Sequence, residues 1–142
     1  MIDLDKTRNV YDFIHSQHVC VISTINQDGK PESAAMAFSE TEDLKIIFQT
    51  PNDTRKYRNL VNNKSISIVV GWSLDDFITV QYEGIAREAT DQQVEWCRNI
   101  HISKNEKSQE YAYLEQNKYF IVEPKWIRFS DINNQDIFEL KY

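Results

Sequence analysis

Glycine, proline, cysteine and methionine are all scarce: 3 Gly, 3 Pro, 2 Cys and 2 Met in 142 residues. With 41% apolar residues, so little Gly and Pro excludes a disordered or low-complexity chain. Cys20 and Cys97 lie far apart and in no metal-like spacing, so they read as buried thiols of a reducing cytoplasm. No run approaches the roughly 20 apolar residues of a membrane helix. The opening Met1-Ile2-Asp3-Leu4-Asp5 lacks the basic start and apolar centre of a signal peptide, so the expected location is cytoplasmic, with no membrane partner. Positive charge is also in deficit: 16 Lys and Arg against 22 Asp and Glu, net −6, argue against a nucleic-acid partner. A Gly-rich phosphate loop is missing, which removes P-loop and dinucleotide Rossmann readings. The length fits one domain, residues 1–142.

What is present is a succession of short apolar segments punctuated by turns. Asp3 to Gln17 has helical spacing, with Val10, Phe13 and Ile14 on one face. Strands follow at His18–Ile25, Pro31–Ser39, Leu44–Thr50, Ser65–Trp72, Phe77–Ala89, Lys118–Phe129 and Ile137–Leu140. Asn26-Gln27-Asp28-Gly29 is a tight turn. Gly84 inside a long strand predicts a bulge or corner, and Pro124 a bend or an exposed edge. Asp91 to about Gln116 reads as one or two helices, with a break near Ser103–Lys107. Many short strands with peripheral helices predict a closed or nearly closed antiparallel barrel, which also removes exposed sheet edges.

One stretch carries a sign opposite to the chain's net charge. Pro51 stops a strand, Asp53 and Thr54 are good N-caps, and a short helix is expected with Tyr57, Leu60 and Val61 on one face. Arg55, Lys56 and Arg58 point elsewhere, so three cations cluster at a helix start, where free N–H groups and the dipole already favour an anion. Arg and Lys both suit phosphate. The segment therefore reads as a phosphate site, with a solvated basic helix face as the alternative. Upstream, Ser33-Ala34-Ala35-Met36-Ala37 is conspicuously small, a surface on which a flat ligand or another core element could rest.

Other constellations carry less. His15, His18 and His101 are not spaced as metal ligands and read as partly buried, hydrogen-bonded side chains. Cys97 and His101 fall at i, i+4, but no orienting third group accompanies them. Trp72, Trp96 and Trp126 read as core or interface.

Several of these segments, in this order, carry a resemblance. Asp28-Gly29-Lys30-Pro31, the small-residue strand, Gln49-Thr50, Thr54-Arg55-Lys56, and Asn62-Asn63 leading into Ile66-Ser67-Ile68-Val69-Val70 resemble the pyridoxamine 5′-phosphate oxidase-like, FMN-binding split β-barrel family. The match runs from about His18 to Trp72 and, more loosely, through Tyr82-Glu83-Gly84-Ile85-Ala86. It implies a mainly β, antiparallel split barrel of Greek-key type with peripheral helices, forming a single FMN-binding domain. It implies that Arg55 and Lys56 hold the FMN phosphate. The flavin ring would lie along Ala34, Ala35, Met36 and Ala37 and the strand end Gln49 and Thr50. Thr79 stands where the family's long strand carries Gln. The resemblance also implies a homodimer, with two FMN sites at the subunit interface.

The departures bear on substrate. The oxidases proper carry Arg where this chain has Ala34, and a substrate-binding Lys where it has Ser39. Their C-terminal arginines are replaced by Phe138-Glu139-Leu140-Lys141-Tyr142. The expectation is an FMN-dependent oxidoreductase of unknown small-molecule substrate, no catalytic side chain being assigned. The alternative is a flavin-binding or stress-related dimeric barrel without turnover.

Overall fold

The computed structural model of the chain describes residues 2–142. Helix α1, Leu4–His15, is capped by Asp3, whose carboxylate accepts from the Lys6 N–H at 3.0 Å, and it buries Thr7, Val10 and Ile14. The strands follow: β1 Val19–Ile25, β2 Pro31–Ala37, β3 Ser39–Glu40 and β4 Ile46–Pro51. Helix α2, Arg55–Asn62, leads into β5 Ser65–Val70 and β6 Ile78–Glu88. Helix α3, Asp91–Lys104, passes at Asn105 into a 3₁₀ turn over Glu106–Tyr111, where the polar break was expected. The long β7, Asn117–Asp131, and β8, Asp136–Lys141, complete the chain.

The eight strands of the described residues form one antiparallel sheet in the order β2-β1-β5-β6-β7-β4-β3, with β8 also paired to β7. The two ends of this sheet, β2 and β3, are separated in the chain by Phe38 alone, which is fully buried. The sheet must therefore curl back on itself, which makes the split barrel. The expected single strand Pro31–Ser39 breaks at Phe38 for this reason: Ser39 and Glu40 pair with Ile47 and Ile46 on the far side.

Inside the curl, Ile22, Phe48, Ile66, Ile68, Val80, Phe120 and Ile127 form the core, and Val10, Ile14 and Leu60 of the helices close it. Phe48 and Phe120 stack with centroids 5.3 Å apart, and Tyr57 meets Phe120 edge-on. A smaller cluster of Ile47, Cys97, Tyr119 and Ile121 seats α3 on the opposite face of the sheet. Both cysteines are buried and free, and burial pushes the Cys20 thiol up to about 12 and that of Cys97 to about 11.

Gly84 sits at the expected bulge. The β6–β7 register shifts between Glu83 and Gly84, which face Trp126 and Pro124. A Cβ on Gly84 would lie 2.4 Å from the Glu123 carbonyl oxygen and 2.8 Å from Val122 Cγ1. Pro124 is buried at this bulge rather than on an outer edge, in the gap left where β4 pairing ends at Val122 and β8 pairing begins at Trp126. Its missing N–H costs the ladder little there. Strand β5 ends at Val70, short of Trp72, because Gly71 turns the chain at φ +87°.

One packing expectation is corrected and another, core or interface for the tryptophans, is narrowed. Val61 is 52% exposed; the buried residues of α2 are Asn59 and Leu60, since Asn59 turns inward to bond Thr24 and Glu32. Trp72 and Trp96 are exposed and Trp126 half-buried, so none belongs to the core of the single chain.

Candidate anion and flavin site

The site is built where β4 ends and α2 begins. Thr54 is the N-cap, and its Oγ1 accepts from the Tyr57 N–H at 3.3 Å. The Thr54 hydroxyl is within hydrogen-bonding distance of the Pro51 carbonyl at 3.0 Å and of the Thr50 hydroxyl at 2.9 Å. These contacts fix the strand-to-helix corner. The N–H groups of Arg55 and Lys56 have no partner among the described residues, as first-turn amides need not.

A cleft of about 360 Å³ opens against this corner. Arg55, Lys56 and Arg58 line one side, with Thr54 and Asp53 at the cap; Ala34 and Glu32 of β2 face them across Ile22 and Thr24. A second cleft of about 520 Å³, lined by Asn26, Asn52, Tyr57 and Asn59 among others, shares Glu32, Arg55 and Arg58 with the first.

The three cations are not equivalent. Arg55 pairs with Glu32 at 3.3 Å, and Arg58 donates to the Asp53 carbonyl at 3.0 Å. Lys56 is half-buried and has no salt-bridge partner among the described residues. Burial alone pushes its pKa down. A partly desolvated ammonium without a counter-anion, beside unpartnered helix amides, suits an anion supplied from outside.

Strand alternation splits the remaining candidates. Glu32, Ala34 and Met36 face inward with Cys20, Ile22 and Thr24 of β1, whereas Ser33, Ala35 and Ala37 are exposed on the outer face. Among the described residues only β1 pairs with β2, so the other edge of this small-residue strand is open, and both sets flank it. Thr50 joins the site through Thr54. Gln49 points the other way, accepting from Asn117 at 3.4 Å and donating to the Ser108 carbonyl at 3.5 Å. Thr79 lies at the start of β6, donating to the Val70 carbonyl at 3.3 Å. Glu88, which receives the Tyr57 hydroxyl of α2, is at the other end of that strand. About 30 Å of extended chain separates them. One chain thus brings together Ala34, Thr50, Arg55 and Lys56, but neither Gln49 nor Thr79.

Ser39 is buried, donating to the Ile47 carbonyl at 3.2 Å and lying 3.0 Å from His101 Nδ1. His101 is fully buried, and burial together with the Lys104 charge pushes its pKa down to about 4. Among the described residues, neither its Nε2 nor the Tyr119 hydroxyl has a hydrogen-bond partner, and no His, Cys, Asp and Glu cluster could hold a metal. No helix among them is long and apolar enough to cross a membrane.

A model of the pyridoxamine 5′-phosphate oxidase family matches residues 7–131. The chain belongs to this family. Within it, a pyridoxine/pyridoxamine 5′-phosphate oxidase of Streptomyces avermitilis is 29% identical over 59 residues, 42% of this chain and 26% of that protein. The family fold is also that of a haem-binding protein from Mycobacterium smegmatis, with a TM-score of 0.83, 12% identity and coverage of 99% of this chain and 59% of that one. General Stress Protein 26 from Bacillus anthracis str. Sterne superposes with a TM-score of 0.73 at 21% identity, covering 98% and 100% of the two chains. The chain thus spans about a quarter of the curated relative and little more than half of the mycobacterial protein.

Two features of the site escaped sequence reading. Glu32 belongs to the cleft because β2 alternation turns it inward beside Asn59. Asn59 carries no signal of its own, because α2 is amphipathic through Tyr57 and Leu60 without it. The i, i+4 spacing of Arg55 and Asn59 on α2 was the available signal.

Proposed function

We propose that the chain is an FMN-binding flavoprotein acting as an oxidoreductase on a small molecule, with the phosphate seated against Arg55, Lys56 and the start of α2. The observation that carries this reading is Lys56, a half-buried cation with no partner carboxylate among the described residues. Family membership supports it. Bound FMN would supply hydride or electron transfer; the chain's own part is to hold the phosphate and offer the open, small-sided edge of β2 to the ring. No side chain is placed as an acid or base.

The division of candidates between faces favours a site shared by two copies. Ala35, Ala37 and Thr79 lie on the outer face, where Val21, Val69, Gln81 and Trp126 help line a groove of about 320 Å³. An isologous homodimer across this face would bring one copy's Thr79 toward the other's β2 edge.

The test is the absorption spectrum of the purified protein with mass analysis of what denaturation releases, alongside sedimentation. Flavin bands, released FMN and a dimer support the reading; reduction by NAD(P)H and reoxidation by a second substrate support turnover. A Soret band, a deazaflavin, or a protein that takes up no added FMN would overturn it.

A further inference from the structure

An anion site does not ordinarily contain a fixed carboxylate, yet this one does. Glu32 enters the cleft from β2 and meets Arg55 at 3.3 Å. It is not a loose surface acid. Asn59 donates to its Oε1 at 2.9 Å and Asn26 to its Oε2 at 3.2 Å. Asn59 is buried and is itself anchored to the Thr24 hydroxyl at 3.0 Å. The hydrogen bonds from Asn59 and Asn26 hold the Glu32 carboxyl below its ordinary pKa, helped by Arg55 and Arg58, so it is charged at neutral pH. Asp53 is the other carboxylate of the cleft, at the exposed cap.

We propose that Glu32 is an internal counter-anion that sets the preference of this site between phosphorylated and unphosphorylated flavin. The proposal rests on the reading of Arg55 and Lys56 as phosphate ligands. In the free protein the carboxylate occupies one arm of the Arg55 guanidinium, as a phosphate oxygen would. An arriving phosphate has to share or displace it and then sits beside a like charge. Lys56, which has no such competitor, takes the larger part of the attraction. Glu32 thereby keeps affinity for phosphate esters below what three cations would otherwise give, while leaving contacts to the flavin ring untouched.

Glu32→Gln is the discriminating variant. The amide has the same shape and its oxygen still accepts from Asn59, so the fold is expected to hold, but the charge is gone and with it the acceptor for Asn26 and Arg55. FMN and riboflavin are titrated in parallel against wild type, Glu32→Gln and the double variant Arg55→Ala with Lys56→Ala. Removing one like charge near the phosphate is expected to tighten FMN about fivefold to tenfold and to leave riboflavin unchanged. A general loss of folding would weaken both ligands together, so the ratio of the two affinities reads the charge effect alone. If FMN binds Glu32→Gln no more tightly relative to riboflavin, or less tightly, the counter-anion role is overturned. If the double variant retains full FMN affinity, it is the phosphate assignment that has failed, whatever Glu32→Gln does.

Discussion

The Lys104 ammonium lies 2.5 Å from the Glu40 carboxylate, and both side chains are buried, 7% and 1% exposed. This pair joins the end of α3 to β3. Lys104 also donates to the Ile14 carbonyl at 3.0 Å and sits 3.9 Å from the Phe38 ring centroid, while His15 reaches the other Glu40 oxygen at 2.6 Å. Burial pushes the Lys104 pKa down and outweighs the pull of Glu40 upward.

Removing one partner would strand the other charge in the interior. Lys104→Ala should therefore cost about 3–5 kcal/mol. Replacing both, Lys104→Met with Glu40→Leu, should cost less than Lys104→Ala alone. Urea unfolding of the variants checks this; a loss below about 1 kcal/mol for Lys104→Ala would show that water reaches the pair.

His101 gives an acid-side signature. Its pKa in the folded chain is about 4 against an ordinary 6.5. The unfolded chain takes up the proton as pH falls through 6.5, whereas the folded chain does so only near 4. The unfolded state thus binds more protons in that window, and stability drops as the pH is lowered. Its contribution is fully present above 6.5, and the loss approaches about 3 kcal/mol near pH 4. His101→Leu should flatten that part of the profile in chemical denaturation between pH 7 and 4. An unchanged slope would mean that His101 accepts its proton in place.

Gly84→Ala should destabilise by about 1–3 kcal/mol, because the new methyl would meet the Glu123 carbonyl and Val122, neither of which is a flexible side-chain end. Thermal unfolding measures it, and a neutral result would show that the bulge shifts freely.

Arg55→Ala with Lys56→Ala should weaken FMN while leaving the barrel folded, since Arg55 is largely exposed and Lys56 half-buried. Each lost charge-assisted bond is worth roughly 1.5–3 kcal/mol, about tenfold to a hundredfold in affinity or slightly more. Riboflavin should bind weakly and respond little. Equal FMN affinity for both proteins would reduce the basic cluster to a solvated helix face.

Pyridoxine and pyridoxamine 5′-phosphate should not turn over at an ordinary rate of about 1 per second. Ala34 brings no charge, and Ser39 is buried against Ile47 and His101, out of reach of a substrate. Oxygen uptake with either compound is the measurement, and robust uptake would show that other residues hold the substrate phosphate.

The fold was largely legible because its signals are local. Alternating β-branched segments marked the strands, Gly84 marked the bulge and Thr54 the start of α2. The break at Phe38 was not legible, because nothing local distinguishes a strand that changes partners from one that continues. The site was legible where charge contrasted with composition, at Arg55 and Lys56. It was not where meaning depends on which way a side chain faces. Glu32 and Ser39 look alike as polar residues on one strand, yet one faces a cleft and the other supports a buried histidine. The separation of Thr79 from Arg55 is a property of the folded sheet, and a list of family positions does not carry it.

Phe38 has a topological consequence. Every hydrogen-bonded strand pair would survive a cut of the chain at that residue, since β2 and β3 bond to β1 and β4 and not to each other. What the cut would remove is a covalent tie between the sheet's extremes, leaving the curl to the side chains packed inside it and to the bonds from His15 and Lys104 to Glu40. The seam of this barrel is covalent, and because Phe38 is fully buried it is shielded from proteases that attack exposed loop tips.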